Sequence, residues 1–239
     1  MKHICIALAL VLTVLLPASS HANNEKLTAA LRGAVGLLYA QDAAGGMLMR
    51  CTATAFEKTM TGYKFVSASH CIGDDNKAKE QAVTGKDIPF YITRDEVGEE
   101  KTYYRAEVLW AGYQSRGEDF AVFQVVTTDV WNTIPLGDER QEKVGSAITN
   151  IASPLGLGLQ IFHGTITSLF LDRPIVDNRG INWAGTLLLQ ISSGPGSSGS
   201  ALVSQEHENI IGFLVGTIGG NNIVGIPVSR FIAVDKAVA

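Results

Sequence analysis

Most of this 239-residue chain is cut into short runs rich in β-branched and aromatic residues, separated by Gly, Asn and Asp turns. Runs of this kind fall at 34–40, 47–56, 63–67, 89–93, 102–109 and 120–126. A second set falls at 147–152, 160–169, 186–191, 201–204, 210–216 and 223–228. They predict about six strands on each side of a seam near 131–145. Many short strands at such spacing restrict the chain to a sandwich or to barrels. Two helices complete the reading. Residues 25–32 place Leu27, Ala30 and Leu31 on one face, with Gly33 as a stop. Ser229 is expected to cap a terminal helix over 230–238, with Phe231, Ile232 and Val234 facing inward.

The first 22 residues read as an export signal rather than as structure. Lys2 and His3 are followed by an apolar run over 4–16, then by Pro17 and by the small residues Ser20 and Ala22. The run is too short to span a bilayer, so cleavage after Ala22 and a secreted or periplasmic location are expected. Of the three cysteines, Cys5 leaves with the signal. Cys51 and Cys71 remain, and an even pair in an oxidising compartment implies a disulfide. The formal charge of −4 and the lack of a basic stripe argue against nucleic acid. No later segment is long and apolar enough for a membrane span, and no close His or Cys pair has metal-ligand spacing. No metal or cofactor is expected.

Three segments carry chemistry when taken together. His70 follows an apolar run, Asp119 opens another, and Gly194-Pro195-Gly196-Ser197-Ser198-Gly199-Ser200 is a glycine turn between two more. A serine hydroxyl becomes a good nucleophile when a base takes its proton and a buried carboxylate orients that base. His70 is the best base: His163 reads as a packed strand histidine and His207 as a solvated hairpin tip. Glu118 rivals Asp119, whereas Asp74 and Asp75 read as solvated. Ser197 rivals Ser198, which is preferred because it completes Gly-x-Ser-Gly. Glycine permits the backbone turn in which the Gly196 and Ser198 amides converge on a developing oxyanion.

These segments resemble the trypsin-like (chymotrypsin-fold) serine proteases. Ser67-Ala68-Ser69-His70-Cys71 is similar to that family's Thr-Ala-Ala-His-Cys, and Asp119-Phe120-Ala121-Val122 to its Asp-x-Ala-Leu/Val. Cys51-Thr52-Ala53-Thr54 resembles the strand holding the partner cysteine. Ser153-Pro154-Leu155-Gly156-Leu157-Gly158 and the segment 192–202 resemble the bacterial Deg-type branch, as does Gly225-Ile226-Pro227-Val228. Ser200 departs from Gly-Asn-Ser-Gly-Gly and is similar to the glutamyl-endopeptidase variant Gly-x-Ser-Gly-Ser. The resemblance implies an all-β fold of two six-stranded antiparallel β-barrels with short terminal helices, the triad lying in the cleft between them. It divides the chain into the signal 1–22, an N-terminal barrel 23–135 with His70 and Asp119, and a C-terminal barrel 136–239 with Ser198. No regulatory PDZ domain is expected. The family pattern also puts Ser192 at the base of the primary pocket and Val215, Gly216 and Thr217 on the substrate-binding strand. A small or apolar residue before the cut is the expectation.

The function so implied is an exported serine endopeptidase acting on polypeptides through a Ser198-His70-Asp119 triad and an acyl-enzyme. The alternative is a binding protein of the same fold with silent chemistry.

Overall fold

The computed structural model describes residues 19–73, 88–94, 101–171, 176, 181–218 and 222–238. Asp74 and Asp75 lie outside these residues. Helix α1 (Ser19–Ala34) leads into strands β1 (Val35–Gln41), β2 (Met47–Lys58), β3 (Gly62–Ser67), β4 (Phe90–Thr93), β5 (Tyr104–Ala111) and β6 (Ala121–Val126). After a linker come β7 (Ala147–Ala152), β8 (Gln160–Ser168), β9 (Leu187–Gln190), β10 (Ala201–Ser204), β11 (Ile210–Thr217) and β12 (Ile223–Pro227), and helix α2 (Val228–Val238) ends the fold. Each set of six closes on itself. The first barrel runs β1-β2-β3-β6-β5-β4 and the second β10-β11-β12-β9-β8-β7, with every neighbouring pair antiparallel. The chain is thus the expected pair of closed six-stranded antiparallel barrels. Closure needs local bends, and register shifts supply them at Leu38/Tyr39, Val108/Trp110 and Leu214/Gly216 among others.

The second barrel encloses its own apolar interior, from Ile148, Ile166, Leu187, Leu189, Leu202, Ile211 and Leu214. The first barrel's interior is continuous with the packing between the barrels. Strand β2 explains why. Its first residues alternate between exposed and partly buried, but Cys51 to Phe56 are all buried. That stretch runs between the barrels, so neither face meets water. Small and polar residues, Thr52, Ala53, Thr54 and Ala55, fit such a seam, where larger side chains would hold the barrels apart.

The helices depart from the sequence reading in instructive ways. Helix α1 begins earlier than expected and continues through Gly33. Its last turn is finished from outside: Asn132 donates its amide N–H to Gly33 O and its side chain to Ala30 O. Asn132 also fills the space where a side chain on residue 33 would sit. Ser229 is not the cap of α2. It lies within the first turn, and its N–H and hydroxyl both donate to Glu139, at 3.1 and 2.5 Å. The linker carboxylate therefore caps the helix, which is favourable at the positive end of a helix dipole.

Candidate active site

Asp119 sits just ahead of β6, on the loop from β5. It is almost wholly buried, and its carboxylate gathers four donors. Oδ2 lies 2.8 Å from His70 Nδ1 and accepts from the Gln114 amide at 2.7 Å. Oδ1 accepts from the Ser69 hydroxyl at 2.9 Å and from the His70 backbone N–H at 3.0 Å. Burial pushes the Asp119 carboxyl up. The hydrogen bond and charge of His70, with the Gln114 amide and the His70 N–H, outweigh this and hold it below the usual carboxylate value. A carboxylate facing Nδ1 leaves Nε2 as the ring nitrogen free to take a proton. It is Asp119, not its rival Glu118, whose carboxylate meets His70 Nδ1.

His70 occupies a single helical turn, Ser69–Cys71, which follows β3. Cys71 is bonded to Cys51 across a separation of 20 residues, with Cα atoms 6.1 Å apart. The disulfide ties the histidine turn to β2 at the point where β2 passes between the barrels. Cys51, His70 and Cys71 lie close enough together to suggest metal ligands, but the disulfide consumes both sulfurs.

The serine segment hangs from the same strand. Thr52 donates its N–H to Ser198 O at 3.1 Å and its hydroxyl to Gly196 O at 2.9 Å. That hydroxyl also accepts from the Ser153 N–H at 3.1 Å. Gly199 has φ +84°, and a Cβ there would press into the Ser67 hydroxyl, the Ala68 N–H and the Thr52 carbonyl. The residue after Ser198 is glycine because the backbone before His70 leaves it no room. Ser197 is fully buried, and its hydroxyl accepts from the Gly194 N–H, so it is directed inward. Ser198 is half-exposed. Its hydroxyl makes no hydrogen bond to His70 Nε2 among the described residues; such contacts often tighten only with substrate bound.

Gly194 to Ser197 form a turn closed by Ser197 N–H to Gly194 O at 2.9 Å. Pro195 stands second, and Gly196 third with φ +98°, the arrangement of a type II turn. Pro195 O is held at 2.6 Å by the Leu155 N–H, from a residue itself in the left-handed region at φ +56°. In a trans peptide the carbonyl and the following N–H point oppositely, so the Gly196 N–H faces away from the Leu155 loop. The amides of Ser197, Gly199 and Ser200 are all bonded to backbone carbonyls. Those of Gly196 and Ser198, between them, donate to no protein acceptor among the described residues. Ser200, at the position where the resemblance led to glycine, buttresses the turn. Its hydroxyl donates to Ser197 O at 2.6 Å and accepts from the Asn150 amide at 2.8 Å.

Ser192 and Thr217 line one cavity of about 720 Å³ beside this turn, with Ser193, Gln190 and His163. Val215 is buried, and Gly216 is not among the lining residues. His163 is exposed on β8 and not packed, because it faces outward from the second barrel. Its Nδ1 lies 3.1 Å from the Thr149 hydroxyl and 3.2 Å from the Gln205 amide. His207 is exposed at the β10–β11 turn, as expected, 3.9 Å from Glu142. Sequence reasoning assigned no role to Ser69, Gln114, Thr52 or Asn150. Ser69 and Thr52 lie within the motifs quoted above and Gln114 only five residues before Asp119; Thr52 and Asn150 act across 144 and 50 residues of chain, which leaves no local signal.

A double-barrel fold with a His–Asp pair facing a glycine turn defines the class of trypsin-like proteases. The family of the trypsin-like peptidase domain matches residues 51–213, more than half of the chain, and this chain belongs to it. It is a serine-type peptidase. No curated protein matches the chain in sequence. Among solved structures it is similar to Deg5, at 17% identity and TM-score 0.67, covering 90% of this chain and 93% of that one. It is also similar to the HtrA-type protease AlgW with tripeptide, at 16% identity and TM-score 0.66, covering 91% of this chain. It spans 63% of AlgW's length. At these identities the likeness is one of fold.

Proposed function

We propose that this chain is an exported endopeptidase that cleaves polypeptides through an acyl-enzyme. His70 Nε2 takes the Ser198 proton as Oγ attacks the scissile carbonyl, and later returns it to the leaving amine. Asp119 holds His70 in the productive tautomer and offsets the charge it gains. The Gly196 and Ser198 amides receive the oxyanion. The observation that carries this reading is the pairing of a fully engaged Asp119–His70 unit with two unbonded amides flanking Ser197. Ser192 and Thr217 then contribute to the pocket for the residue before the cut, and Val215 and Gly216 to the strand that meets substrate backbone. Beyond Leu214, among the described residues, β11 is hydrogen-bonded to β12 on one side only, which suits strand addition by a substrate. Export is supported by the basic and apolar start of the sequence and by the Cys51–Cys71 disulfide, a bond that persists in oxidising compartments.

A catalytically silent binding protein is the competing reading, favoured by the missing Ser198–His70 hydrogen bond. One experiment separates them. The mature chain and Ser198→Ala are treated with a fluorophosphonate and weighed intact. One adduct on the parent and none on the variant is the expected result, with turnover on unfolded polypeptide lost in the variant by about a million-fold. A folded parent that takes no adduct and releases no peptides sinks the protease reading.

A further inference from the structure

The first turn of α2 touches widely separated parts of the molecule. Ser229 holds Glu139 in the linker between the barrels. Phe231 is fully buried and packs edge-on against Phe56 and Phe120 of the first barrel and Phe213 of the second, with centroids 5.0 to 5.3 Å apart. Between these two residues, Arg230 extends to both barrels. Its Nη1 donates to Gly117 O at 3.2 Å in the β5–β6 loop, and its Nη2 to Ala184 O at 2.7 Å in the loop before β9. Two left-handed glycines frame the guanidinium, Gly117 at φ +70° and Gly185 at φ +65°. A Cβ on either would press into its nitrogens. One glycine from each barrel thus opens the space that a single planar fork fills.

The Gly117 carbonyl matters because of what its loop carries. Gly117 closes the helical turn Gln114–Arg116. That turn supplies the Gln114 amide to Asp119 Oδ2, and Asp119 itself follows two residues later. Phe120, next to Asp119, rests on Phe231. Apart from the disulfide-tied histidine turn, then, the acid's own loop is held from α2. We propose that Arg230 is a positioning residue for the orienting acid. By joining the Gly117 and Ala184 carbonyls, it fixes the Gln114–Asp119 loop of one barrel against the other and keeps Asp119 on His70. The functional part of this claim rests on the triad reading above; the geometric part does not. Guanidinium is suited to the task because its two terminal nitrogens reach two acceptors at once, where a lysine ammonium is a single point. Half-burial lowers the Arg230 pKa, and the facing charges of Glu118 and Glu139 oppose that shift.

The test is the NMR resonance of the His70 Nδ1 proton, assigned by its loss in His70→Asn, in the full mature chain, Arg230→Met, Arg230→Lys and Ser229→Ala. A loosened Asp119 weakens the hydrogen bond at Nδ1, so this proton is expected to move upfield and exchange faster in Arg230→Met and less so in Arg230→Lys. In turnover, kcat is expected to fall about tenfold in Arg230→Met with KM within twofold. Ser229→Ala, which removes a hydrogen bond to Glu139 and leaves both Arg230 contacts in place, is expected to lower the melting temperature and leave His70 unmoved. An unmoved His70 and unchanged kcat in a folded Arg230→Met overturn the proposal, as does an equal shift in Ser229→Ala. Should Arg230→Met not fold, Arg230→Lys decides on the same two readouts. A parent without turnover defeats the protease reading alone, since the Nδ1 proton still reports whether Arg230 places Asp119.

Discussion

The two halves of the site are built by different means. On the first barrel, side chains do the placing: Ser69, Gln114 and His70 converge on one buried carboxylate, and a disulfide anchors the turn that carries His70. On the second barrel, backbone does it. Left-handed Gly196 and Gly199, the Leu155–Pro195 bond and the Thr52 contacts shape the turn that carries Ser198, whose hydroxyl has no hydrogen-bond partner among the described residues. The His70–Asp119 half is a network of specific donors, and chemically close substitutions upset it. The Ser198 half is a backbone shape, and it is sensitive to any added atom.

The largest effect expected from breaking this contrast comes from Asp119→Asn. The amide keeps the shape but favours the wrong histidine tautomer, and kcat should drop about ten-thousand-fold while circular dichroism stays native. A drop of under tenfold would mean that the acid is not orienting the base. Next is Gly196→Ala. A Cβ at φ +98° meets the Ser153 carbonyl, so the turn must shift, and kcat should fall about a hundred- to a thousand-fold with the His70 Nδ1 proton resonance unchanged. Movement of His70 in that variant would show that the two halves are not independently built. Replacing Cys51 and Cys71 by serine should cost about 3 kcal/mol in denaturant unfolding, the chain-entropy value for a loop of about this length. The smallest effect is in acid. Because the folded Asp119 pKa lies below its unfolded value of 3.8, its stabilisation is complete above that pH and is lost as pH falls through the folded value. The stability gap between parent and Asp119→Asn should therefore narrow below about pH 4.

Local pattern made the strands legible. The alternation and turn residues around 147–152 and 201–204 delimit β7 and β10 as observed, and β2 differs only by running on to Lys58. Pattern also brought His70, Asp119 and Ser198 into view, because each is embedded in a short motif. It failed where a distant residue overrides a local rule. Gly33 does not stop α1 because Asn132 completes the turn, and Ser229 does not cap α2 because Glu139 does. The burial of His163 was misjudged because an apolar neighbourhood in sequence does not say which face of a barrel strand points out. Thr52 was invisible as an organiser, since its hydroxyl meets Gly196 across 144 residues of chain.

That last contact has a consequence for the order in which the molecule is made. The first barrel has all six of its strands once Val126 has been synthesised, and the His70–Asp119 pair belongs to it entirely. The serine turn, in contrast, needs Thr52 from the start of the chain and Leu214, whose carbonyl holds the Gly199 amide, from near its end. A ribosome-bound chain thus carries the strands that hold His70 and Asp119 long before α2 arrives to fix the Asp119 loop or Ser198 to meet them. The cutting edge is assembled last, when nearly the whole polypeptide is present to be folded around it.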